Sequence, residues 1–220
     1  MIARRTLAEL IESDAPAWPL VSRWIRAATN RAEVLPASDP ARSEALLAAQ
    51  VSTRSPLGAV IYETGGLLVD HGWLRVLGSG HPRLPRSLPG WNWGRSVTRE
   101  DEPPPFVLVA DDIVGGFFAL DGGALGPGHH HACYFAPDTL AWEAMEEMTY
   151  SQLLVWILSG DLARFYQSLR WPGWQDEVAL IGGDQCLSIA PPLWTHEGRD
   201  IAAASRRPVP VSEIYSLYVG

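Results

Sequence analysis

The sequence predicts an α+β fold in which a curved, mainly antiparallel sheet packs against helices from both ends of the chain. Apolar residues recur at helical spacing in the N-terminal third and again near the C-terminus, and a series of short apolar runs lies between them. Helices, consecutive strands and then helices are typical of this class. We expect one domain over residues 1–220, with N-terminal helices in 1–65, the sheet at about 66–136, and a C-terminal helical region with a docked tail in 137–220. We also expect the helices to pack on one face of the sheet.

The N-terminal third contains start signals for several helices. Thr6 and Glu9 have the spacing of a capping box, in which each side chain bonds a backbone amide that the helix leaves free. Asp39-Pro40, and Ser55 followed by Pro56, each place a capping side chain before a proline, whose missing N–H costs nothing in a first turn. Gly65 and Gly66 then predict a helix end, because glycine accepts a left-handed conformation.

The middle of the chain contains short apolar runs bounded by Gly, Asp or Pro, which is typical of strands. These runs are 67–69, 73–77, 106–110, 117–120 and 132–135. Residues 78–105 separate two of them. A loop of that length is unusual inside a compact domain, so it is a candidate for a functional segment or for a cover over a sheet edge.

The C-terminal part returns to helical spacing. Apolar residues between Leu153 and Leu169 follow the helical period, with an irregularity expected at 159–161. A further strand is predicted at 186–189, where Pro191 follows shortly after. The apolar residues of the proline-marked tail, 206–219, are expected to pack back on the domain.

Composition limits the classes of function. The formal net charge of −8 argues against a broad nucleic-acid or anionic-membrane surface. The first residues lack the apolar run of a signal peptide, and no apolar stretch approaches the ~20 residues of a membrane span. We therefore expect a cytoplasmic protein with no nucleic-acid partner, no membrane partner and no cofactor. The two cysteines, Cys133 and Cys186, lie in apolar runs, which predicts buried free thiols.

The run His129, His130, His131 precedes a predicted strand and raises the question of a metal site. Alternation along a strand would place His129, His131 and Cys133 on one face, and imidazole and thiolate are zinc ligands. A solvated loop that binds metal opportunistically explains the same pattern. We favour the solvated loop, so no physiological metal site is predicted.

Asp111 and Asp112 end the apolar run FVLVADD. Paired carboxylates can serve acid–base chemistry or hold a hard cation. Adjacent aspartates also begin turns, because their side chains bond the nearby backbone, and we favour this structural interpretation. The sequence contains neither G-x-S-x-G nor G-x-x-x-x-G-K-[ST], so no catalytic residue is predicted.

The recognition candidates are aromatic and acidic. Trp91 and Trp93 lie in the long loop, and loop aromatics are enriched at interfaces. Covering the core is an equally good interpretation of these two residues. Glu143 lies in an acidic stretch, 142–148, that is either a binding face or the solvated side of a helix.

Several of these segments resemble a known bacterial family. FVLVADD at 106–112, FFALDGG at 117–123, YFAPDTLAWE at 134–143 and RWPGW at 170–174 are similar to segments of the family catalogued as domain of unknown function 2625, and the resemblance extends from about Leu7 to the end. The order of elements is more distantly similar to the SUKH superfamily of α+β domains, many of which are proposed immunity proteins that neutralise toxins. The resemblance implies no catalytic residues.

We therefore expect a non-enzymatic, immunity-like protein-binding module that covers the surface of a basic, toxin-like partner. Its expected contact residues are Asp111, Asp112, Trp91, Trp93 and Glu143. Two alternatives stay open. One is a metal-assisted hydrolase that uses His129 and His131 with the Asp111/Asp112 pair. The other is a housekeeping homodimer that associates through a sheet edge or the tryptophan loop.

Overall fold

The structure of the protein is a computed structural model that describes residues 4–99, 102–126, 131–145 and 148–220. The α+β class and the antiparallel sheet are confirmed. The helices are α1 (Leu7–Leu10), α2 (Trp18–Arg26), α3 (Ala41–Ala49), α4 (Pro56–Glu63), α5 (Leu88–Asn92), α6 (Tyr150–Ser159), α7 (Leu162–Phe165), α8 (Trp174–Val178) and α9 (Val211–Tyr218). A 3₁₀ turn covers Glu197–Arg199.

Within these residues, seven strands form one sheet in which each strand pairs antiparallel with the next along the chain. They are β1 (Ala32–Pro36), β2 (Thr64–Val69), β3 (Leu74–Leu77), β4 (Phe106–Asp112), β5 (Phe117–Asp121), β6 (Ala132–Ala136) and β7 (Ala141–Ala144). A separate hairpin pairs β8 (Gln185–Ala190) with β9 (Ser205–Pro210). The sheet therefore begins and ends outside the predicted range, because β1 and β7 add one strand at each edge.

Two predicted helix caps in the N-terminal third are confirmed. The Thr6–Glu9 capping box is formed, and the Ser55 hydroxyl accepts a hydrogen bond from the backbone amide of Gly58. The expected irregularity separates α6 from α7. The predicted helix end at Gly65 and Gly66 is wrong, since both glycines lie in β2. They are needed there because a Cβ on Gly65 would lie 2.8 Å from the carbonyl oxygen of Gly80.

The helices cover both faces of the sheet, so the expectation of a single covered face is wrong. Phe117 and Phe118 point to opposite sides, as neighbours on a strand must, and both are fully buried. Phe117 contacts Tyr215 of α9, whereas Phe118 contacts Trp156 of α6. Burial on both faces explains why the central strands are nearly continuous apolar runs rather than alternating ones.

In the tail, Val211, Ile214 and Tyr215 of α9 are buried. Among the residues that the structure describes, none of the helices has both the length and the apolar character that crossing a membrane requires. Cys133 and Cys186 are buried free thiols, and burial raises the pKa of the Cys186 thiol to about 12.

Candidate functional site

Asp111 lies at the centre of a buried ionic cluster. The register of β3 and β4 places Arg75 directly opposite it, and Arg86 reaches it from the long loop. The Arg75 Nη2 atom lies 2.5 Å from Asp111 Oδ1, and the Arg86 Nη1 atom lies 2.6 Å from Asp111 Oδ2. Arg86 also donates to the carbonyl of Gly183 at 2.7 Å. The cluster thus joins the sheet, the long loop and the segment before β8.

This cluster contains two guanidinium groups and one carboxylate. Asp111 is fully buried and Arg75 is 1% exposed. A buried charge is costly unless it is paired, so the second guanidinium leaves one formal positive charge without a matching carboxylate in the cluster. The Nε atoms of Arg75 and Arg86 are buried and have no hydrogen-bond partner.

Asp112 points to the opposite side of the sheet and has a different environment. Its Oδ1 atom accepts hydrogen bonds from the backbone amides of Val114 and Gly116, and its Oδ2 atom accepts them from Tyr134 and Tyr166 at 2.7 and 3.1 Å. Burial raises the pKa of the Asp112 carboxyl, although the hydroxyl of Tyr134 and the amide of Gly116 oppose that rise. Burial and the nearby Asp112 also hold the pKa of both tyrosines well above the usual value.

The proposed contact residues therefore divide into an interior group and a surface group. Asp111 and Asp112 are fully buried, and Trp91 is 5% exposed and packs against the guanidinium groups of Arg86 and Arg95. A partner could touch these three only in a different conformation. Trp93, at 54% exposure, and Glu143, which is exposed on edge strand β7, are accessible. Glu143 lies on a strand, so the interpretation that placed it on the solvated side of a helix is wrong, and the contact roles of all five stay predictions.

An apolar groove of about 790 Å³ lies between α3 and the long loop. Trp93 lines it, which connects the exposed tryptophan to a large concave surface. The face of α3 contributes alanines, and the loop contributes prolines and aliphatic residues. The apolar lining comprises Ala41, Ala45, Ala48, Ala49, Val51, Leu57, Pro85, Leu88, Pro89, Trp93, Val97, Pro103, Pro104 and Val107.

The loop wall of this groove is held rigidly by Asn92, which is 1% exposed. The Asn92 side-chain amide donates to the carbonyls of Leu88 and Leu108 at 2.9 and 2.8 Å. Its oxygen accepts from the amide of Leu108 and the hydroxyl of Ser96 at 2.8 and 2.7 Å. These bonds satisfy all the hydrogen-bonding positions of a buried amide, so the loop is a fixed surface rather than a loose cover.

The residues of the metal-hydrolase hypothesis are not brought together. His129 lies outside the described residues. The backbone carbonyl of His131 accepts from the amide of Asp121, which pairs with Phe106 at one end of β4, whereas Asp111 and Asp112 lie at the other end. Five residues of strand at about 3.3 Å each separate Phe106 from Asp111, or about 16 Å. In the described part of the chain, no three His, Cys, Asp or Glu side chains are grouped to hold a metal ion.

The ionic cluster was missed by the sequence analysis, although Arg75 carried a signal. It is a charged residue inside the apolar run WLRVL, and arginine is almost never fully buried unless it is paired. Arg86 and Gly183 carried no comparable signal, because only the chain path brings them to Asp111.

The family model and the similar proteins that match this chain are all uncharacterised. The family model described as "Protein of unknown function DUF2625" matches residues 7–214. An uncharacterised protein of Haemophilus influenzae is 42% identical over 203 residues, covering 92% of this chain and 88% of that protein. The putative uncharacterised protein YbfG of Escherichia coli is 39% identical over 213 residues, covering 97% and 95%. No solved structure matches the chain, and the likeness to the SUKH superfamily stays a prediction.

Proposed function

The chain belongs to the DUF2625 family, and we propose that it is a non-enzymatic protein-binding module whose apolar groove holds an apolar segment of a partner protein. The single observation that carries this proposal is Trp93, which is more than half exposed on the wall of the groove. A half-exposed tryptophan beside an apolar concavity is the kind of anchor that dominates binding energy at protein interfaces.

The form of the groove favours a polypeptide over an enclosed small molecule. Its wall residues Glu44, Ala48 and Trp93 are exposed to solvent, so the concavity is an open surface and not a sealed cavity. The alanines on α3 have short side chains, so the backbone of a partner can approach this wall closely. A sealed pocket would instead bury most of a small ligand.

The rigidity of the groove supports the same proposal. Asn92 holds the loop wall by hydrogen bonds to its own helix and to β4, as described above. A binding surface that is already formed avoids the entropy loss of ordering a loop during association, so more of the contact energy appears as affinity.

The charge of the whole chain, rather than that of the groove, which is lined by three arginines and two glutamates, favours a basic partner. The chain carries a formal net charge of −8, which accelerates the encounter with a basic protein. An immunity-like role, in which the module covers the active surface of a basic toxin, is the finer form of the proposal. It rests on the likeness to the SUKH order of elements and on this charge.

A peptide-display selection against the full chain tests the proposal. Selected peptides should share apolar anchor residues, and fluorescence anisotropy should show at least tenfold weaker binding after Trp93→Ala. Trp194→Ala is the matched control, because Trp194 is 41% exposed but does not line the groove, and it should bind as the wild type does. Equal losses in both variants, or a failure to select any peptide, would contradict the proposal.

Light scattering separates the proposal from the homodimer hypothesis. The binding module predicts a monomer at micromolar concentration. A dimer that dissociates after Trp93→Ala would assign the groove to a second copy of the chain instead.

A further inference from the structure

We propose that a second concave surface, the arginine cleft, binds the oxyanion group of a small ligand, a carboxylate or a phosphate. The arginine cleft has a volume of about 430 Å³ and lies between the β2–β3 turn, the long loop and the segment that joins α8 to β8. Its charged and imidazole-bearing residues are Arg31, Glu33, His71, Arg75, Arg83 and Asp184. The proposal is independent of the function proposed for the groove.

Arg75, on the inner wall of the cleft, provides the strongest support for this proposal. Arg75 lines the cleft although it is 1% exposed, and its Nε donor has no hydrogen-bond partner. Its other donors bond Asp111 and the carbonyls of Asp112 and Gln185. A buried donor without a partner is costly, and an anion entering the cleft would supply the missing acceptor or compensate the charge.

The sum of the formal charges in this region also favours an anionic ligand. The cleft and the ionic cluster behind it contain four arginines, Arg31, Arg75, Arg83 and Arg86. They contain the three carboxylates Glu33, Asp111 and Asp184, which leaves a formal charge of 4 − 3 = +1. The whole chain carries −8, so this region is positive in an otherwise acidic protein. One negative charge on a ligand would neutralise it.

The outer wall provides accessible donors. Arg31 is exposed, and none of the carboxylates in the described residues lies within ion-pair distance of it. Its Nη1 atom lies 3.1 Å from Nδ1 of His71. A guanidinium can only donate, so Nδ1 accepts and the ring proton lies on Nε2, which makes His71 a second donor. Arg83 differs, because Glu33 binds it with both carboxylate oxygens.

His71 lies in the tight turn that joins β2 to β3. Asp70 and His71 have φ values of 52° and 62°, and the amide of Gly72 donates to the carbonyl of Val69, which is the geometry that a hairpin turn of this kind requires. Arg170 pairs with Asp70 at 2.5 Å and stacks on Trp174, which packs edge-on against the His71 ring. These contacts hold the turn from several sides and fix the imidazole beside Arg31.

The opposite wall is held just as closely. A Cβ on Gly183 would lie 2.2 Å from the carbonyl oxygen of Arg83, so the segment before β8 rests directly on the long loop. Arg86 ties the same glycine to Asp111. The cleft is therefore a preformed site between fixed walls, large enough for a small metabolite and not for a folded domain.

Isothermal titration calorimetry on the full chain tests this inference with two probes, inorganic phosphate and succinate, against sodium chloride at equal ionic strength. At least one probe should bind saturably with one site per chain, and the stronger of the two assigns the ligand to phosphate esters or to carboxylates. Arg31→Gln should weaken that binding at least tenfold, and Asp184→Asn should strengthen it by removing a like charge.

Arg23→Gln is the matched control, because Arg23 is exposed on α2 and lines none of the concave surfaces described above. It should leave the binding unchanged. An absence of saturable heat with both probes, or equal weakening by the Arg31 and Arg23 variants, would overturn the inference. Circular dichroism of the Arg31 variant, a surface substitution, confirms that any loss reflects the site and not unfolding.

Discussion

The apolar groove and the arginine cleft lie against the same long loop, and Pro85 lines both. The groove wall is fixed by a neutral amide, Asn92, whereas the cleft wall is fixed by a carboxylate, Asp111, between two guanidinium groups. The part of this loop at 86–92 is thus not a loose connection, since two different kinds of buried polar group anchor it.

The two surfaces therefore suit different ligands, although both lie against the same segment. The groove presents an aromatic side chain and small apolar residues, which suit the apolar side chains of a polypeptide. The cleft presents guanidinium and imidazole donors, which suit one oxyanion. The same difference predicts that the two walls respond differently to mutation, pH and salt.

Asp111→Asn should produce the largest effect. It leaves two buried guanidinium groups with no carboxylate between them, and breaking a buried ion pair in this way costs about 3–5 kcal/mol. Urea denaturation at neutral pH measures the free energy of unfolding. Glu33→Gln is the control, because the Glu33–Arg83 pair is about half exposed and such pairs contribute less than about 1 kcal/mol. A loss below 1 kcal/mol for Asp111→Asn would show that the cleft wall does not depend on this charge.

Asn92→Ala should weaken the groove wall by about 2–3 kcal/mol, because the buried backbone groups at Leu88 and Leu108 lose their partners. Peptide binding to the groove should weaken with it, while anion binding to the cleft should be less affected. Ser96→Ala removes only one of the four bonds and should cost about 1 kcal/mol. Equal losses for the two variants in the same urea experiment would argue against the network.

Asp112→Asn should change how stability depends on pH. The raised pKa of the Asp112 carboxyl means that the folded state holds its proton at a pH where the unfolded chain, near 3.8, has lost it. Wild-type stability relative to the variant should therefore fall as pH rises from about 4 to the folded pKa, by at most about 1.4 kcal/mol per pH unit. Unfolding curves at several pH values check this. An increase with pH would mean that the folded state prefers the ionised carboxylate.

Trp93→Ala should have the smallest effect on stability, below about 0.5 kcal/mol, because the side chain is half exposed. Trp91→Ala, two residues away, should cost about 3 kcal/mol or more, because Trp91 is buried and packs against Arg86 and Arg95. Thermal unfolding of the pair measures the contrast. A large loss of stability at Trp93 would assign it to the core and not to the groove.

Local signals predicted much of the fold. The capping residues at Thr6 and Ser55, the interruption before Asp161 and the apolar run at 117–120 each act within a few residues, and the structure has the predicted elements there. Strand β1 was not predicted, because AEVLP is short, contains a charged residue and ends in proline, and only pairing with β2 makes it a strand. Gly65 was interpreted as a helix end, whereas its role is to admit the backbone of Gly80.

The candidate sites were predicted less completely. Trp93 was selected because an aromatic residue in a loop is a local signal, although nothing in the loop sequence indicated the alanine face of α3 opposite it. Asp111 and Asp112 were predicted to share one role because they are adjacent in the sequence. Alternation along a strand sends them to opposite sides, where one meets arginines and the other meets tyrosines.

The sequence by itself determined the class of fold, the positions of the central strands and the acidic character of the chain. These depend on spacing and composition, which act over a few residues. Only the tertiary structure decided which charges are buried, which tryptophan faces solvent, and that Arg31, His71 and Arg75 meet in one cleft. Those outcomes depend on contacts between segments far apart in the chain, and the energy of a charge depends on the groups around it rather than on its neighbours in sequence.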